Sequence, residues 1–186
     1  MVRVTHWLTT FSFLALLVSG VAILLAHPRL YWGETGSVLT PSLIDLPLPF
    51  VLTGQTGWGR SLHFLSAWVC VLTGLVYGLA GVFTNHFRTD LLAAGNSNYN
   101  PLQRLTYVGV IFILFPLMIW TGLAMSPALT SVFPPLETVF GGQQSARTIH
   151  FFAADFLILF LLVHVSMVSL NGFRARMRSM ITGEAA

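Results

Sequence analysis

Four apolar runs, near 6–27, 61–83, 104–126 and 148–170, take up most of this 186-residue chain. A helix rises about 1.5 Å per residue, so roughly 20 residues cross a hydrocarbon layer about 30 Å thick. Such a helix also satisfies every backbone N–H and C=O within itself, which the interior of a bilayer demands. Only 8% of the residues are charged and none is lysine, whereas a soluble domain carries about 25% charged residues. The expected fold class is therefore all-α and integral to a membrane, a four-transmembrane-helix bundle forming one domain over residues 1–186.

The N-terminal run continues from Trp7 to Ala26 without an obvious small-residue cleavage site, so it reads as a retained span and not a signal peptide. Four spans put both termini on one side. That side would hold Arg3, Arg88, Arg104, Arg174, Arg176 and Arg178, against Arg29, Arg60 and Arg147 opposite. The excess predicts cytoplasmic termini in an inner membrane. The single cysteine, Cys70, excludes a disulfide framework and a CxxCH haem attachment, and reads as a buried apolar thiol. Nothing in the sequence suggests a nucleic-acid partner, a zinc cluster, a phosphate loop or a nucleophilic triad.

One pattern recurs three times: RVTHW at 3–7, RSLHF at 60–64 and RTIHF at 147–151, each at the mouth of an apolar run. The pattern supplies His6, His63 and His150; His164 lies further along the fourth run. Ionisable side chains inside a membrane are costly and usually face a bundle interior, a cavity or a cofactor. His150 and His164 are 14 residues apart, which on a helix is roughly 21 Å of rise and about 40° short of four turns. They share a face at two depths. With cytoplasmic termini, His164 falls near the inner level of His6, and His150 near the outer level of His63. Two facing pairs result, His6 with His164 and His63 with His150.

Two imidazoles at one level are too few for a zinc site but complete the axial coordination of haem, with no open position on the iron. The expectation is two b-type haems that transfer electrons. Arg3, Arg60 and Arg147 each stand one turn before a histidine, where a guanidinium can meet haem propionates. Interfacial anchoring explains a single such arginine as well; three, each before a proposed ligand, favour the propionate role.

These residues resemble the bacterial di-haem cytochromes of the cytochrome b561 superfamily, which include membrane subunits of formate dehydrogenase, nickel-iron hydrogenase and thiosulfate reductase. The resemblance covers essentially the whole chain: HW at the first span, RSLHF at the second, and RTIHFFAADFLILFLLVHV with its histidine spacing at the fourth. It implies four helices, with His6, His63, His150 and His164 ligating two haems in the pairing above. HPRLYWGETG, NHFRTDLL, GLAMSPAL, FGGQQSARTIHF and MRSMITG look most like the thiosulfate-reductase group. That likeness implies a periplasmic molybdopterin oxidoreductase as partner and quinone as the exchangeable redox partner.

Other residues remain open. His27 could approach the outer haem level as a rival to His63, or serve the outer surface. His86 could cap the inner haem, border a quinone pocket or simply be solvated. Asp155, about 140° from the face of His150, could accept a quinol proton or bond a neighbouring helix. Gly74 and Gly78 permit close approach of a macrocycle, or of a second helix as in a dimer. Pro116 is expected to kink the third span. The outer connections 28–59 and 127–146 carry Tyr31, Trp32, Phe50, Trp58, Phe133 and Phe140, which suit a soluble redox partner or the membrane interface. Electron carriage between quinone and a periplasmic subunit is the main expectation. A stand-alone superoxide:quinone oxidoreductase and a haem-handling or anchoring protein are the rivals.

Overall fold

The computed structural model describes residues 2–37, 39–48, 56–88 and 101–183. Phe50 and most of the polar connection after His86 lie outside them. The chain forms two compact units, Met1–Leu105 and Thr106–Ala186. Among the described residues, four helices are long and apolar enough to cross a membrane: Val2–Ala26, Gly57–Phe83, Leu105–Ala124 and Gln143–Leu170.

In the first unit, α1 (Val2–Ala26) and α2 (Thr56–Phe83) pack along each other. The reason is written in small residues seven apart. Thr5, Ser12, Ser19 and Ala26 are the buried stripe of α1, and Gly59, Ser66 and Thr73 are buried on α2. A seven-residue repeat keeps one stripe on the seam of a helix pair, and small side chains let two helices approach where no hydrophobic effect drives them together. Buried hydroxyls in hydrocarbon need acceptors, and those of Thr5, Ser12, Ser19 and Thr73 find one in their own helix: Ser12 donates to the Leu8 carbonyl at 2.8 Å and Thr73 to that of Val69 at 2.7 Å.

The tightest approach is at Gly59, where an added Cβ would stand 3.2 Å from that of Ala22. Gly74 and Gly78 meet nothing within 4 Å, so it is Gly59 and not that pair that brings α1 against α2. Gly59→Leu should separate the helices and cost about 1–3 kcal/mol of overpacking. Thermal unfolding in detergent should show a lower Tm for Gly59→Leu, and an unchanged Tm would mean that the seam is not closed there.

Between α1 and α2 the chain forms a two-stranded antiparallel ladder, β1 (Arg29–Leu30) with β2 (Ile44–Asp45), in register Arg29 to Asp45. Asp45 accepts a hydrogen bond from Arg29 Nε at 3.1 Å, and its charge raises the guanidinium pKa above the ordinary value. Leu30, in this ladder, and Tyr31, which follows it, are buried, and the Tyr31 ring lies against Gly36.

The third span is α3 (Pro101–Gly109), a π-helical segment (Val110–Leu114) and α4 (Phe115–Ala124). Pro116 was expected to kink this span, and the local device is a register slip. Proline has no N–H to return to the Phe112 carbonyl. The Phe115 N–H bonds to the carbonyl of Val110, five residues back, the spacing of a π-bulge.

In the second unit, two single-turn helices, α5 (Pro127–Thr130) and α6 (Pro135–Thr138), lead to α7 (Gln143–Leu170). Gly141 and Gly142 have φ of 79° and 117°, values that favour glycine, and they start α7 abruptly. Gln143 Nε2 then donates to the Met125 carbonyl at 3.3 Å, tying the start of α7 to the end of α4. Gly172, at φ 89°, turns the chain into α8 (Phe173–Ile181), which carries Arg174, Arg176 and Arg178.

The helices extend beyond the apolar runs at their N-terminal ends. They start at Val2, Thr56, Pro101 and Gln143, against expectations of 6, 61, 104 and 148. Polar and small residues such as the QQSA before Arg147 lower the hydropathy without interrupting the helix, and the Ala146 N–H bonds to the Gly142 carbonyl. The arginine-histidine pattern therefore lies inside its helices on α2 and α7 and not at their mouths.

Candidate site: histidines at two depths

Counted from Thr56 and from Gln143, Arg60 and Arg147 are each the fifth residue and His63 and His150 each the eighth, and both helices have 28 residues. The likeness extends to what each histidine touches. In the first unit Ser19 Oγ lies 3.0 Å from His63 Nδ1, and in the second Thr121 Oγ1 lies 2.8 Å from His150 Nδ1. The next residue is glycine in both cases. A Cβ at Gly20 would stand 3.8 Å from the Cε1 of His63, and one at Gly122 would stand 3.7 Å from that of His150.

These contacts fix depth within each unit. Ser19 marks the level of His63 on α1, and it is 13 residues beyond His6, roughly 20 Å of helix rise. On α7, His150 and His164 are separated by about 21 Å by the same measure. Each unit thus holds its two histidines about equally far apart along the helix axis. The buried Leu157 lies midway between His150 and His164, seven residues from each.

The other two histidines have aromatic neighbours. His164 stacks on Phe160, centroids 5.7 Å apart and planes at 28°, and meets Tyr107 edge-on at 6.4 Å. The His6 ring stands edge-on to Trp7 at 5.5 Å. All four histidines are half-buried. Arg3 and Arg60 are exposed and Arg147 is half-buried.

His27 is exposed and follows the last residue of α1. It lies eight residues beyond Ser19, about 12 Å along the axis from the level of His63, so it shares neither histidine depth in its unit. His86 sits past the far end of α2 in a cluster with Tyr77 and Phe87, at centroid distances of 6.2 and 6.0 Å. Phe87 in turn lies on Gly81. Asp155 is exposed on α7 and Cys70 is half-buried on α2.

The donor chemistry suits an axial ligand to haem iron. Neutral imidazole binds iron through one nitrogen while the other carries a proton, and the hydrogen bond made by that proton sets which is which. His63 and His150 each have Nδ1 engaged by a hydroxyl and stand in an apolar span, so the residues present fit a non-covalent haem. Sequence reading found these four histidines because charge in an apolar run is conspicuous. It missed Ser19, Thr121 and Tyr107. The signal for Ser19 was the stripe Thr5, Ser12, Ser19, Ala26, whose period marks the face that α1 turns to α2. For Thr121 and Tyr107 no comparable repeat stands out.

The chain matches the family profile described as "Prokaryotic cytochrome b561" over residues 1–183. It is also 28% identical, over 193 residues, to the "Putative protein-methionine-sulfoxide reductase subunit YedZ1" of Azospira oryzae, covering 90% of this chain and 87% of that protein. No solved structure matches.

Proposed function

The chain belongs to the prokaryotic cytochrome b561 family, and we propose that it carries single electrons between quinone and a periplasmic oxidoreductase through two haems at two depths. Membership makes it a multi-pass protein of the bacterial inner membrane, with b-type haem and a role in electron transfer. The observation that carries the finer reading is the histidine spacing, close to 20 Å along the axis in both units. Two ligands per unit at matching separations suit one level served by His63 and His150 and another served by His6 and His164.

Haem supplies reversible one-electron chemistry, and bis-histidine ligation keeps substrate off the iron. The residues then have separate tasks. His63 and His150 hold the outer group, His6 and His164 the inner one. Arg60 and Arg147, one turn before the outer ligands, neutralise propionates at the membrane edge, as Arg3 does at the inner face. Phe160 and Tyr107 fix the plane of the His164 ring. Both termini lie in the cytoplasm, which places Arg174, Arg176 and Arg178 of α8 on the side that favours positive charge.

The Azospira oryzae relative is named as a subunit of a protein-methionine-sulfoxide reductase. By analogy, the partner here is a reductase, to which electrons run outward from quinol; the likeness to the thiosulfate-reductase group makes that partner periplasmic and molybdopterin-containing. Co-purification tests this directly: a molybdenum protein that is reduced by quinol only when this chain is present supports the reading. Superoxide-dependent quinone reduction by the chain alone would replace it with the stand-alone oxidoreductase.

The arginines give a second expected outcome. Removing a positive charge near the outer haem favours its ferric state, so Arg60→Ala and Arg147→Ala should each lower the outer midpoint potential and leave the inner one in place. A redox titration with both outer and inner midpoints unmoved would return these arginines to membrane anchoring.

A further inference from the structure

We infer that Ser19 and Thr121 are positioning residues that lock His63 and His150 in the tautomer with the proton on Nδ1 and the lone pair on Nε2, ready for iron. The inference rests on the ligation reading above and extends it to two residues that touch neither iron nor substrate.

The argument is a count of protons. A hydroxyl has one hydrogen to give and two lone pairs with which to accept. Ser19 Oγ lies 2.7 Å from the carbonyl of Ala15 and 3.1 Å from that of Leu16, and Thr121 Oγ1 lies 2.7 Å from that of Leu117 and 3.2 Å from that of Met118. A carbonyl can only accept, so the single hydroxyl proton is spent within the helix in both cases. Toward the histidine 3.0 or 2.8 Å away, the oxygen therefore accepts and the ring donates, and in the first unit the Leu16 carbonyl is a second acceptor for the His63 ring. Nδ1 carries the proton in both rings.

Two further facts make the arrangement more than a chance contact. Ser19 and Thr121 are each 0% exposed, so water does not compete for either hydroxyl. The same arrangement also occurs in both units: a hydroxyl residue followed by glycine on one helix, and Arg-x-x-His on its antiparallel neighbour. A hydroxyl that accepts from Nδ1–H adds electron density to the imidazole and raises its strength as a ligand, which favours ferric iron. His164 is held by aromatic faces, so the two levels differ in what tunes them.

The test uses the full chain with its haems in detergent and separates hydroxyl from shape at one position. Thr121→Val keeps the shape and loses the hydroxyl; Thr121→Ser keeps the hydroxyl and loses a methyl. Ser19→Ala repeats the loss in the other unit. The readouts are the ferric low-spin EPR signals and the midpoints from a redox titration. Thr121→Val and Ser19→Ala should shift the outer midpoint upward and move its EPR signal, or lose that haem, while the inner haem is unchanged and Thr121→Ser resembles the parent. Parent-like midpoint and EPR in Thr121→Val and Ser19→Ala would overturn the inference, as would equal damage in Thr121→Val and Thr121→Ser. His63→Ala is the control: if the outer haem survives there, the ligation reading itself is wrong, and if it is lost while Thr121→Val is parent-like, only the positioning role falls.

Discussion

His150→Ala is expected to lower haem content from about two per chain to about one, with the surviving haem showing the spectrum and midpoint of the inner site. The alanine removes an axial ligand and leaves a space beside Gly122 and Thr121, whose hydroxyl keeps its bond to the Leu117 carbonyl. The fold should survive, because α7 remains tied to α4 by Gln143 and Met125 and packed through the buried Ala146, Ala153 and Leu157. His63→Ala should produce the same loss from the other unit. Retention of both haems in either variant, read by pyridine haemochrome assay, would break the pairing.

The second large effect is expected at His164, where alanine should remove the inner haem and preserve the outer one. Electron passage from the quinone side to the periplasmic side should then fall to background, although the outer haem can still be reduced by a soluble donor. Phe160 and Tyr107 lose the ring they flank, so some destabilisation accompanies the change. The intact outer haem serves as the internal measure that the protein is folded. Quinol-dependent reduction of the outer haem at the parent rate in His164→Ala would mean that the inner histidine is not on the electron path.

The four spans were legible in the residues because a membrane is a harsh solvent. Four long apolar runs admit few architectures, and histidines within them stand out against Leu, Val and Phe. The 14-residue spacing of His150 and His164 is fixed by one helix and needed no tertiary information. What the sequence hid depends on neighbours and on local backbone. Helices α2 and α7 start before their apolar runs because glycine-rich TGWG and polar QQSA are helical nonetheless. Gly59 gave no sign of being a close approach of α1 and α2, because which glycine faces α1 depends on the register of two helices. Thr121 was invisible, and the role of Ser19 hidden although the stripe marked its face, for a related reason: a serine or threonine in a span usually bonds its own helix, and only the packed pair shows what lies on the other side of the oxygen. The slip at Val110–Leu114 likewise follows from Pro116 only after the backbone is traced.

Haem per chain, with a redox titration of the reduced-minus-oxidised spectrum, is the most direct measurement on protein purified alone in detergent. Two non-covalent b haems with separate midpoints are predicted, each lost on substitution of its own histidine pair. A single haem, or a second that disappears without affecting the spectrum of the first and without dependence on His6 or His164, would contradict the two-depth account.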